Sequence, residues 1–425
     1  MKPYPAYKPS GEQWMGEVPA HWEVLPLKQS FKIIGGSTPK SDNESFWDGD
    51  ILWATPSDLS KRESVYISDT QRKITADGLA SCGATLVPAA SIVLSTRAPI
   101  GSLAIAEMAL CTNQGCKSLV PSERANTEYF AHLLSISSAE LNIRGKGTTF
   151  LELSGDALGS FKTPVPPITE QTQIAAYLDR ETARVDTLIA EKGRLIETLR
   201  EYRQATISEV VTQGLDPTAP KKPSGVPWLG EIPAHWGLKR FKFHVEQVGE
   251  KTSEPLAGVA YIGLEHIESG TGKFISSMDG TQTESESTVS HFCVGDVLFG
   301  KLRPYLAKAV IAYGDGVCTT ELLVLRPNSM DSGYLLSCLL LDGFIKTVDA
   351  STFGAKMPRA DWTFISNLLL PEPPAVEQQA IAAYLDTETA RIDALLAHVQ
   401  DEIKLLQELR AATITDAVTG KIQVS

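Results

Sequence analysis

The sequence predicts an α+β protein in which two α/β domains are separated by two long antiparallel coiled-coil helices, as a pseudo-two-fold internal duplication. Three observations predict this fold. A short motif and a long segment each occur twice, the long segments carry apolar residues at helical spacing, and a polar, Pro-rich linker separates the two copies.

The repeats are close copies of each other. Trp14-Met-Gly-Glu-Val-Pro-Ala-His-Trp22 returns as Trp228-Leu-Gly-Glu-Ile-Pro-Ala-His-Trp236, at an offset of 214 residues. The segment beginning at Pro164 returns at Pro371, at an offset of 207, and 13 of 17 positions match between residues 174–190 and 381–397. This degree of similarity indicates a duplication in which the first domain is seven residues longer.

Six segments follow from the repeats. They are an N-terminal motif (1–22), a first variable domain (23–163), a first conserved helix (164–214), a linker with the repeated motif (215–236), a second variable domain (237–370) and a C-terminal conserved helix (371–425). The linker after Asp216 is rich in proline and polar residues, which is typical of a domain boundary.

Both conserved segments have the pattern of long amphipathic helices. Thr169 is a candidate N-cap, Glu170 lies in the first turn, and Gly214 and Gly420 follow as candidate C-caps. Apolar residues recur at spacings of three, four and seven, with Glu181 and Lys192 interrupting the pattern in the first segment. They are Ile174, Leu178, Val185, Leu188, Leu195, Leu199 and Tyr202, and in the second segment Ile381, Leu385, Ile392, Leu395, Val399, Leu406 and Leu409. A helix of about 40 residues, roughly 60 Å long, cannot bury such a stripe alone. We therefore expect the two copies to pack antiparallel.

The variable domains are predicted to be diverged copies of one mixed α/β fold. Residues 91–94 and 296–299 are predicted strands, and residues 102–106 and 308–312 are their predicted partners. Residues 111–114 and 318–321 correspond at the same offset of 207, and each is followed by a strand ending at a proline.

Polar loops of these domains have side chains suited to nucleic acid. Arginine can donate two hydrogen bonds to guanine, the Asn and Gln amides match adenine, glutamate can accept from the cytosine amino group, and threonine suits phosphate. The candidate DNA-binding residues are Thr96, Arg97, Thr112, Asn113, Gln114, Lys146, Thr148, Lys301, Arg303, Tyr305, Thr319, Thr320, Glu321, Lys356 and Arg359. The alternative is that these are ordinary surface loops whose arginines form salt bridges.

Net charge neither supports nor excludes DNA as a partner. The chain carries a formal charge of −12, but residues 23–163 hold 13 basic and 15 acidic residues and are nearly balanced. The largest acidic excess is in residues 371–425, with 4 basic and 9 acidic residues. A balanced domain can still present a locally basic face to phosphates.

Several classes of protein are disfavoured. No apolar run is long enough to span a bilayer and the start has no signal-peptide pattern, so the cytoplasm is expected and a membrane partner is not. Six scattered cysteines give neither a zinc site nor a disulfide framework, and no catalytic motif is present. His21 and His235 are expected to pack or hydrogen-bond against the helices rather than to catalyse.

The sequence is similar to the specificity subunits of type I restriction-modification systems. The resemblance covers nearly the whole chain and consists of the Pro-x-His-Trp motif, the Pro-x-Pro-Pro-x-x-Glu-Gln lead and the Ile-Ala-x-Tyr-Leu-Asp helix, each present twice. It implies a non-catalytic subunit with two target-recognition domains. Each domain would read one half of a bipartite, asymmetric double-stranded DNA target, and the helices would set the gap between the halves.

The resemblance also implies partners and cofactors. Two modification (methyltransferase) subunits would dock on the helices, at Tyr177, Leu178, Val185, Leu188, Tyr384, Leu385, Ile392 and Leu395. Restriction subunits that translocate and cut DNA would join outside them. This chain is expected to hold no metal and no cofactor of its own, whereas the partner subunits would use S-adenosylmethionine, ATP and magnesium.

Two other functions are compatible with parts of the sequence. A coiled-coil structural or assembly protein without DNA recognition would explain the helices but not the two unlike domains. A self-contained nuclease or fused methyltransferase would need a catalytic motif, and the sequence contains none of those sought.

Overall fold

The structure is a computed structural model that describes residues 2–60, 64–97, 99–146, 151–252, 259–275, 288–354 and 356–424. The chain divides into two compact units, one formed by Met1–Lys192 with Asp401–Ser425 and the other by Gly193–Gln400. Each unit therefore contains one α/β domain, part of the helix that follows it and part of the other long helix.

The first unit is built on a five-stranded sheet. The strands lie in the order Phe31–Gly35, Cys116–Pro121, Ile92–Ser95, Leu103–Ala106 and Tyr66–Ile67, and all neighbours are antiparallel except the last two. A three-stranded sheet has the order Leu110–Thr112, Trp47–Ala54 and Lys73–Ile74. Two pairs complete the strands, Tyr7–Pro9 with Glu17–Pro19 and Glu23–Pro26 with Lys162–Val165.

Short helices cover the sheets of this unit. They are Pro56–Ser60, Ala76–Ala80, Thr127–Ile136, Ser138–Ile143 and Gly155–Gly159, with 3₁₀ turns at Leu27–Gln29 and Glu44–Phe46. The amphipathic helix Thr127–Ile136, N-capped by Asn126, buries Tyr129 and Phe130 against the long helices and the sheet. These aromatic residues join the domain and the helices in one hydrophobic core.

The second unit repeats this architecture with two four-stranded sheets. One sheet has the order Val245–Gln247, Leu322–Pro327, Val297–Gly300 and Ala309–Ile311, and the other Lys251–Thr252, Val289–Phe292, Gly316–Thr319 and Ala260–Ile262. Two further pairs join Lys221–Pro223 to Glu231–Pro233 and Gly237–Arg240 to Leu369–Glu372. The helices are Ser332–Leu339, Asp342–Ala350 and Trp362–Ile365, with 3₁₀ turns at Phe241–Phe243, Leu264–His266 and Pro304–Leu306.

The predicted strand pairs are present in both units. Ile92 lies opposite Ile105 in the first unit, and Val297 lies opposite Ile311 in the second, each in an antiparallel pair. The strands Cys116–Pro121 and Leu322–Pro327 end at prolines, as expected. The predicted fold class is confirmed.

The two conserved helices are the longest elements, spanning Ile168–Gln213 (46 residues) and Ala375–Val418 (44 residues). Within the first unit, Arg410 Nε donates to Asp186 at 2.8 Å and Lys192 Nζ to Glu402 at 2.7 Å. Because the residue number rises along one helix as it falls along the other, the helices run antiparallel there.

The second unit contains the matching ion pair. Arg203 Nε donates to Asp393 at 3.0 Å. Arg203 and Asp393 are displaced by 207 residues from Arg410 and Asp186, which is the repeat offset of the sequence. One helix-to-helix contact is thus made once in each unit, as a pseudo-two-fold duplication requires.

The buried stripe of the helices differs from the predicted one. Ile174, Leu178, Ile381, Leu385, Ile392 and Val399 are buried as expected, but Leu188, Leu195, Tyr202, Leu395 and Leu409 are exposed. The buried stripe instead continues through Thr182, Ile196, Arg203 and Ile207. A spacing pattern alone could not reveal this, because Lys192 and Arg203 lie within the stripe and are accommodated by carboxylate partners.

A buried tyrosine of each domain binds the end of a long helix. The hydroxyl of Tyr129 lies 3.0 Å from the carbonyl oxygen of Val418, and that of Tyr334 lies 3.0 Å from the carbonyl oxygen of Val211. Both carbonyls belong to the last helical turn, whose oxygens lack partners within the helix. Burial raises the pKa of both tyrosines, so both remain neutral donors.

Glycine ends both helices, as the sequence predicts. Gly214 and Gly420 have φ values of 76° and 75°, in the left-handed region. A Cβ atom at Gly420 would lie 2.3 Å from a proline ring carbon of Pro19. Glycine is therefore required there both for its backbone conformation and for the close approach of the N-terminal motif.

The repeated histidines bind the helices, which confirms their predicted role. His21 Nε2 lies 2.9 Å from Glu170, and His235 Nε2 lies 2.8 Å from Glu377. Each glutamate is in the first turn of a long helix, where a negative charge is favourable. The motif therefore attaches each domain to the start of the helix that follows it.

Across the described ranges, no helix is both long enough and apolar enough to cross a membrane.

Replacing Tyr129 or Tyr334 with phenylalanine is expected to lower the free energy of unfolding by about 1–2 kcal/mol, because each change leaves a helix carbonyl without its donor. Urea denaturation followed by circular dichroism measures this loss. Tyr313→Phe is the control, since this tyrosine is 73% exposed. Equal stability of all three variants would show that the hydroxyls do not anchor the helix ends.

Candidate nucleic-acid interface

Three backbone segments meet beside the main sheet of the first unit. Arg97 forms a bridge with Glu152, and Glu152 pairs with Lys146 through two 3.0 Å backbone hydrogen bonds. Next to them, the amide of Leu153 donates to the carbonyl of Thr96 at 2.9 Å. We call this place the first junction; it consists of Thr96, Arg97, Gly115, Lys146, Glu152 and Leu153.

The second unit contains the same arrangement. Leu302 forms a bridge with Arg359, and Arg359 pairs with Phe353 through two 3.2 Å backbone hydrogen bonds. The amide of Ala360 donates to the carbonyl of Lys301 at 2.9 Å. This is the second junction; it consists of Lys301, Leu302, Glu321, Phe353, Arg359 and Ala360.

The junctions refine the sequence alignment of the two domains. Thr96 N donates to Gly115 O in the first junction, and Lys301 N donates to Glu321 O in the second. Glu321 therefore matches Gly115 rather than Gln114, one residue away from the predicted correspondence. The position of Arg97 is taken by Leu302, so Arg303 lies one residue beyond it.

Each junction presents an arginine–carboxylate pair at its surface. Arg97 donates through Nε and Nη2 to Glu152 at 3.2 and 3.0 Å. Arg359 donates to both oxygens of Glu321 at 2.9 to 3.1 Å. This hydrogen bonding raises the pKa of Arg359. The pairs are oriented oppositely, since the later loop supplies the carboxylate in one junction and the arginine in the other.

Such pairs can recognise base edges while keeping their geometry. A guanidinium has five N–H donors, so donors remain after it binds one carboxylate. The carboxylate fixes the plane of the arginine, and its second oxygen can accept a further hydrogen bond. Donors beside acceptors in fixed positions are what a base pair in the major groove requires.

The turn preceding the second junction is held in an unusual conformation. Arg303 and Ala307 have φ values of 51° and 47°, which are uncommon for residues other than glycine. They bracket the 3₁₀ turn Pro304–Leu306, and Arg303 N donates to Pro358 O at 2.8 Å. The turn exposes the side chains of Arg303 and Tyr305 beside the junction.

Two predicted phosphate contacts are wrong. Thr96 and Thr112 are buried, and the hydroxyl of Thr96 lies 3.2 Å from the carbonyl of Gly115. These threonines support the loop from inside, so their hydroxyls are not available to a phosphate.

The remaining candidates lie nearer the surface. Asn113 uses its side-chain oxygen to bind the amide of Gly115 at 2.9 Å, while Gln114 is exposed and accepts from Thr38. Thr319, Thr320 and Lys301 are half-buried, whereas Lys146 and Lys356 are exposed. Thr148 lies outside the described residues.

Several of the predicted docking residues pack within the chain instead. Leu178, Leu385 and Ile392 are buried in their own units and have no surface for a partner. Tyr177 and Val185 are half-buried, and Leu188, Tyr384 and Leu395 are exposed. The expectation of docking is therefore corrected for the buried three, because they form the internal seam.

Sequence reasoning missed two junction residues. Glu152 and Phe353 are not among the sequence candidates, which were chosen from neighbouring polar positions of the same loops. A comparison at the offset of 207 would have found them, since Glu152 aligns with Arg359 and Lys146 with Phe353.

Among the residues that the structure describes, no group of His, Cys, Asp or Glu side chains could hold a metal ion. All six cysteines lie in described segments and are free thiols. Burial raises the pKa of Cys111, Cys116, Cys318 and Cys338 to about 12. These four cysteines therefore belong to the cores rather than to a reactive site.

Comparison with known proteins finds related sequences over nearly the whole chain. Residues 19–198 match the model of the type I restriction modification DNA specificity domain. The type I restriction enzyme MjaIX specificity subunit of Methanocaldococcus jannaschii is 26% identical over 96% of this chain and 95% of its own length. The chain is similar to type I restriction enzyme specificity subunits over nearly its whole length.

Other specificity subunits resemble this chain over shorter stretches or in fold. The EcoDI specificity subunit of Escherichia coli is 25% identical over 70% of each chain. A chain from a structural study of type I system assembly and conformational transition has a TM-score of 0.72 and 18% identity, covering 95% of this chain and 99% of its own. The HsdS subunit from Thermoanaerobacter tengcongensis has a TM-score of 0.56 and 16% identity, with 95% and 98% covered. At these identities the structures support the fold.

Thr96→Val is expected to lower the free energy of unfolding by about 1 kcal/mol, because it removes a buried hydroxyl that faces a carbonyl. Its DNA affinity should remain within two-fold of the native value. Urea denaturation and a gel shift measure the two effects. If Thr96→Val weakened DNA binding without lowering stability, the result would support the original prediction that Thr96 contacts phosphate.

Proposed function

We propose that this chain is a DNA specificity subunit that reads a bipartite, asymmetric target, with one half recognised by the first junction and the other by the second. The observation that supports this proposal is that the junctions share a backbone framework but differ in side chains. Arg97, Lys146 and Glu152 stand where the second junction has Leu302, Phe353 and Arg359. Because the backbone frameworks match, the two junctions would approach DNA in the same way. Because their side chains differ, each would prefer a different base sequence.

The role proposed for the long helices is to hold the two readers apart and to dock partners. The helices pair through equivalent ion pairs, Arg410 with Asp186 and Arg203 with Asp393. A paired helix rises about 1.5 Å per residue and does not shorten without breaking its hydrogen bonds. Such helices would give the unspecified gap of the target a fixed length.

The modification subunits would dock on the exposed apolar side chains of the helices. Within the first unit these are Leu188, Leu405 and Leu409, and within the second Leu195, Tyr202, Tyr384 and Leu395. Exposed apolar residues on a helix face are typical of surfaces covered by another protein. Equivalent faces in the two units would suit two copies of one partner.

The chemistry would reside in the partner subunits. Modification subunits would bring S-adenosylmethionine and methylate adenine, and restriction subunits would use ATP and magnesium. This chain would contribute recognition and assembly. The alternative of a coiled-coil structural protein without DNA recognition is not favoured, because it gives no role to paired junctions with different surface chemistry.

Arg97→Ala is expected to relax recognition of one half of the target and leave the other half intact. Loss of an arginine that contacts a base costs about 1–3 kcal/mol of discrimination. The measurement is genome-wide mapping of methylated adenines in cells that express the variant with its modification subunit. Arg359→Ala should relax only the opposite half.

Arg124→Ala is the matched control for Arg97→Ala. Arg124 is also exposed and bound to a glutamate, Glu23, but it lies outside the junction. The control should leave the methylated sequence unchanged. If Arg97→Ala relaxed recognition of both halves of the target, or of neither, the result would contradict the proposal that each junction recognises one half.

A further inference from the structure

We propose that Phe353, with Met357 beside it, is an apolar wedge that enters a base step within the half-site recognised by the second junction. The proposal rests on the proposed function and adds a mode of recognition to it. The second unit would then distort its DNA, whereas the first would read its half by polar contacts.

The exposure of these side chains is the first observation. Phe353 is 76% exposed and Met357 is 53% exposed, although both are large and apolar. Leaving apolar surface in water is unfavourable, so two such side chains on one loop indicate a surface that becomes covered. Phe353 lies on the loop that carries the candidate DNA-binding residues Lys356 and Arg359.

The backbone holds this loop in place. Two backbone hydrogen bonds between Phe353 and Arg359 close the loop. Gly354 has a φ of 98°, a backbone conformation that residues other than glycine rarely adopt. The amide of Arg303 donates a hydrogen bond to the carbonyl of Pro358, which links the neighbouring turn to this loop. A side chain that enters a base step must be held rigidly by its backbone, because separating stacked bases costs free energy.

The charges around the wedge select the occupant. Arg303 is exposed on the neighbouring turn and Lys356 on the same loop, and neither forms an ion pair with any residue that the structure describes. An apolar protein surface would leave both cations without partners. Phosphates on either side of a base step would neutralise them, so DNA fits this surface better than a protein does.

The first junction provides the contrast. Lys146 occupies the position of Phe353 and pairs with Glu152 as Phe353 pairs with Arg359. Phenylalanine and methionine are among the side chains that unstack base steps, whereas lysine contacts phosphates and base edges. The same backbone thus carries a wedge in one unit and a cation in the other.

The test uses the complex with its modification subunit, after methylation mapping has defined the target. The fluorescent purine 2-aminopurine replaces purines of the second half one at a time, excluding the adenine that becomes methylated. Unstacking raises its fluorescence. We expect a several-fold rise at one position with the native protein, retention of the rise with Phe353→Trp, and its loss with Phe353→Ala.

Phe243→Ala is the control, since this phenylalanine is 52% exposed and lies outside the junction. It should preserve both the rise and the affinity, whereas Phe353→Ala should bind the target about ten-fold more weakly. The wedge is overturned if no position responds to the native protein, or if Phe353→Ala gives the native response. In either case a native complex that still prefers its target over a scrambled duplex leaves the proposed function standing. Loss of that preference overturns both.

Discussion

The pairing of the two long helices is the constraint on which the other features depend. The first helix has a stripe that includes Lys192 and Arg203, and a cation in such a stripe is tolerated only beside a carboxylate from the other helix. The same contact therefore fixes direction, register and partner. Each domain is attached to the start of the helix that follows it, through Glu170 or Glu377, and to the end of the other helix, through Tyr129 or Tyr334.

Attachment to a shared scaffold explains why the two domains differ so much in sequence yet agree in backbone. The sheet strands and the junction bridges are backbone contacts, which tolerate many side chains provided that the core is filled. Surface positions of the junctions have no such restriction, so Glu152 and Arg359 can occupy equivalent places. Under the proposed function, a change of junction side chains would therefore alter recognition without disturbing the helices, and the net negative charge of the chain would not prevent a local DNA-binding surface.

The sequence predicted the features that repeat. The duplication, the long helices, the strand pairs and the helix-binding role of His21 all followed from offsets and spacing. It failed where a side chain's partner comes from a distant segment. The spacing favoured Leu188 and Leu195 as seam residues because it could not show that Lys192 finds Glu402. Likewise, the hydroxyl of Thr96 has a suitable chemistry for phosphate, but only the packing of the loop shows that it faces inward.

The most direct test of the account inserts one heptad into both helices, after Lys192 in the first and after Asp401 in the second. The insertion adds about 10 Å of helix, equal to about three base pairs at 3.4 Å each, while the ion pairs on either side keep their partners. Methylation mapping should then give unchanged half-sites with a longer gap, whereas insertion into one helix alone should disrupt the pairing and abolish modification. An unchanged gap after the double insertion, or altered half-sites, would contradict the claim that the paired helices set the spacing.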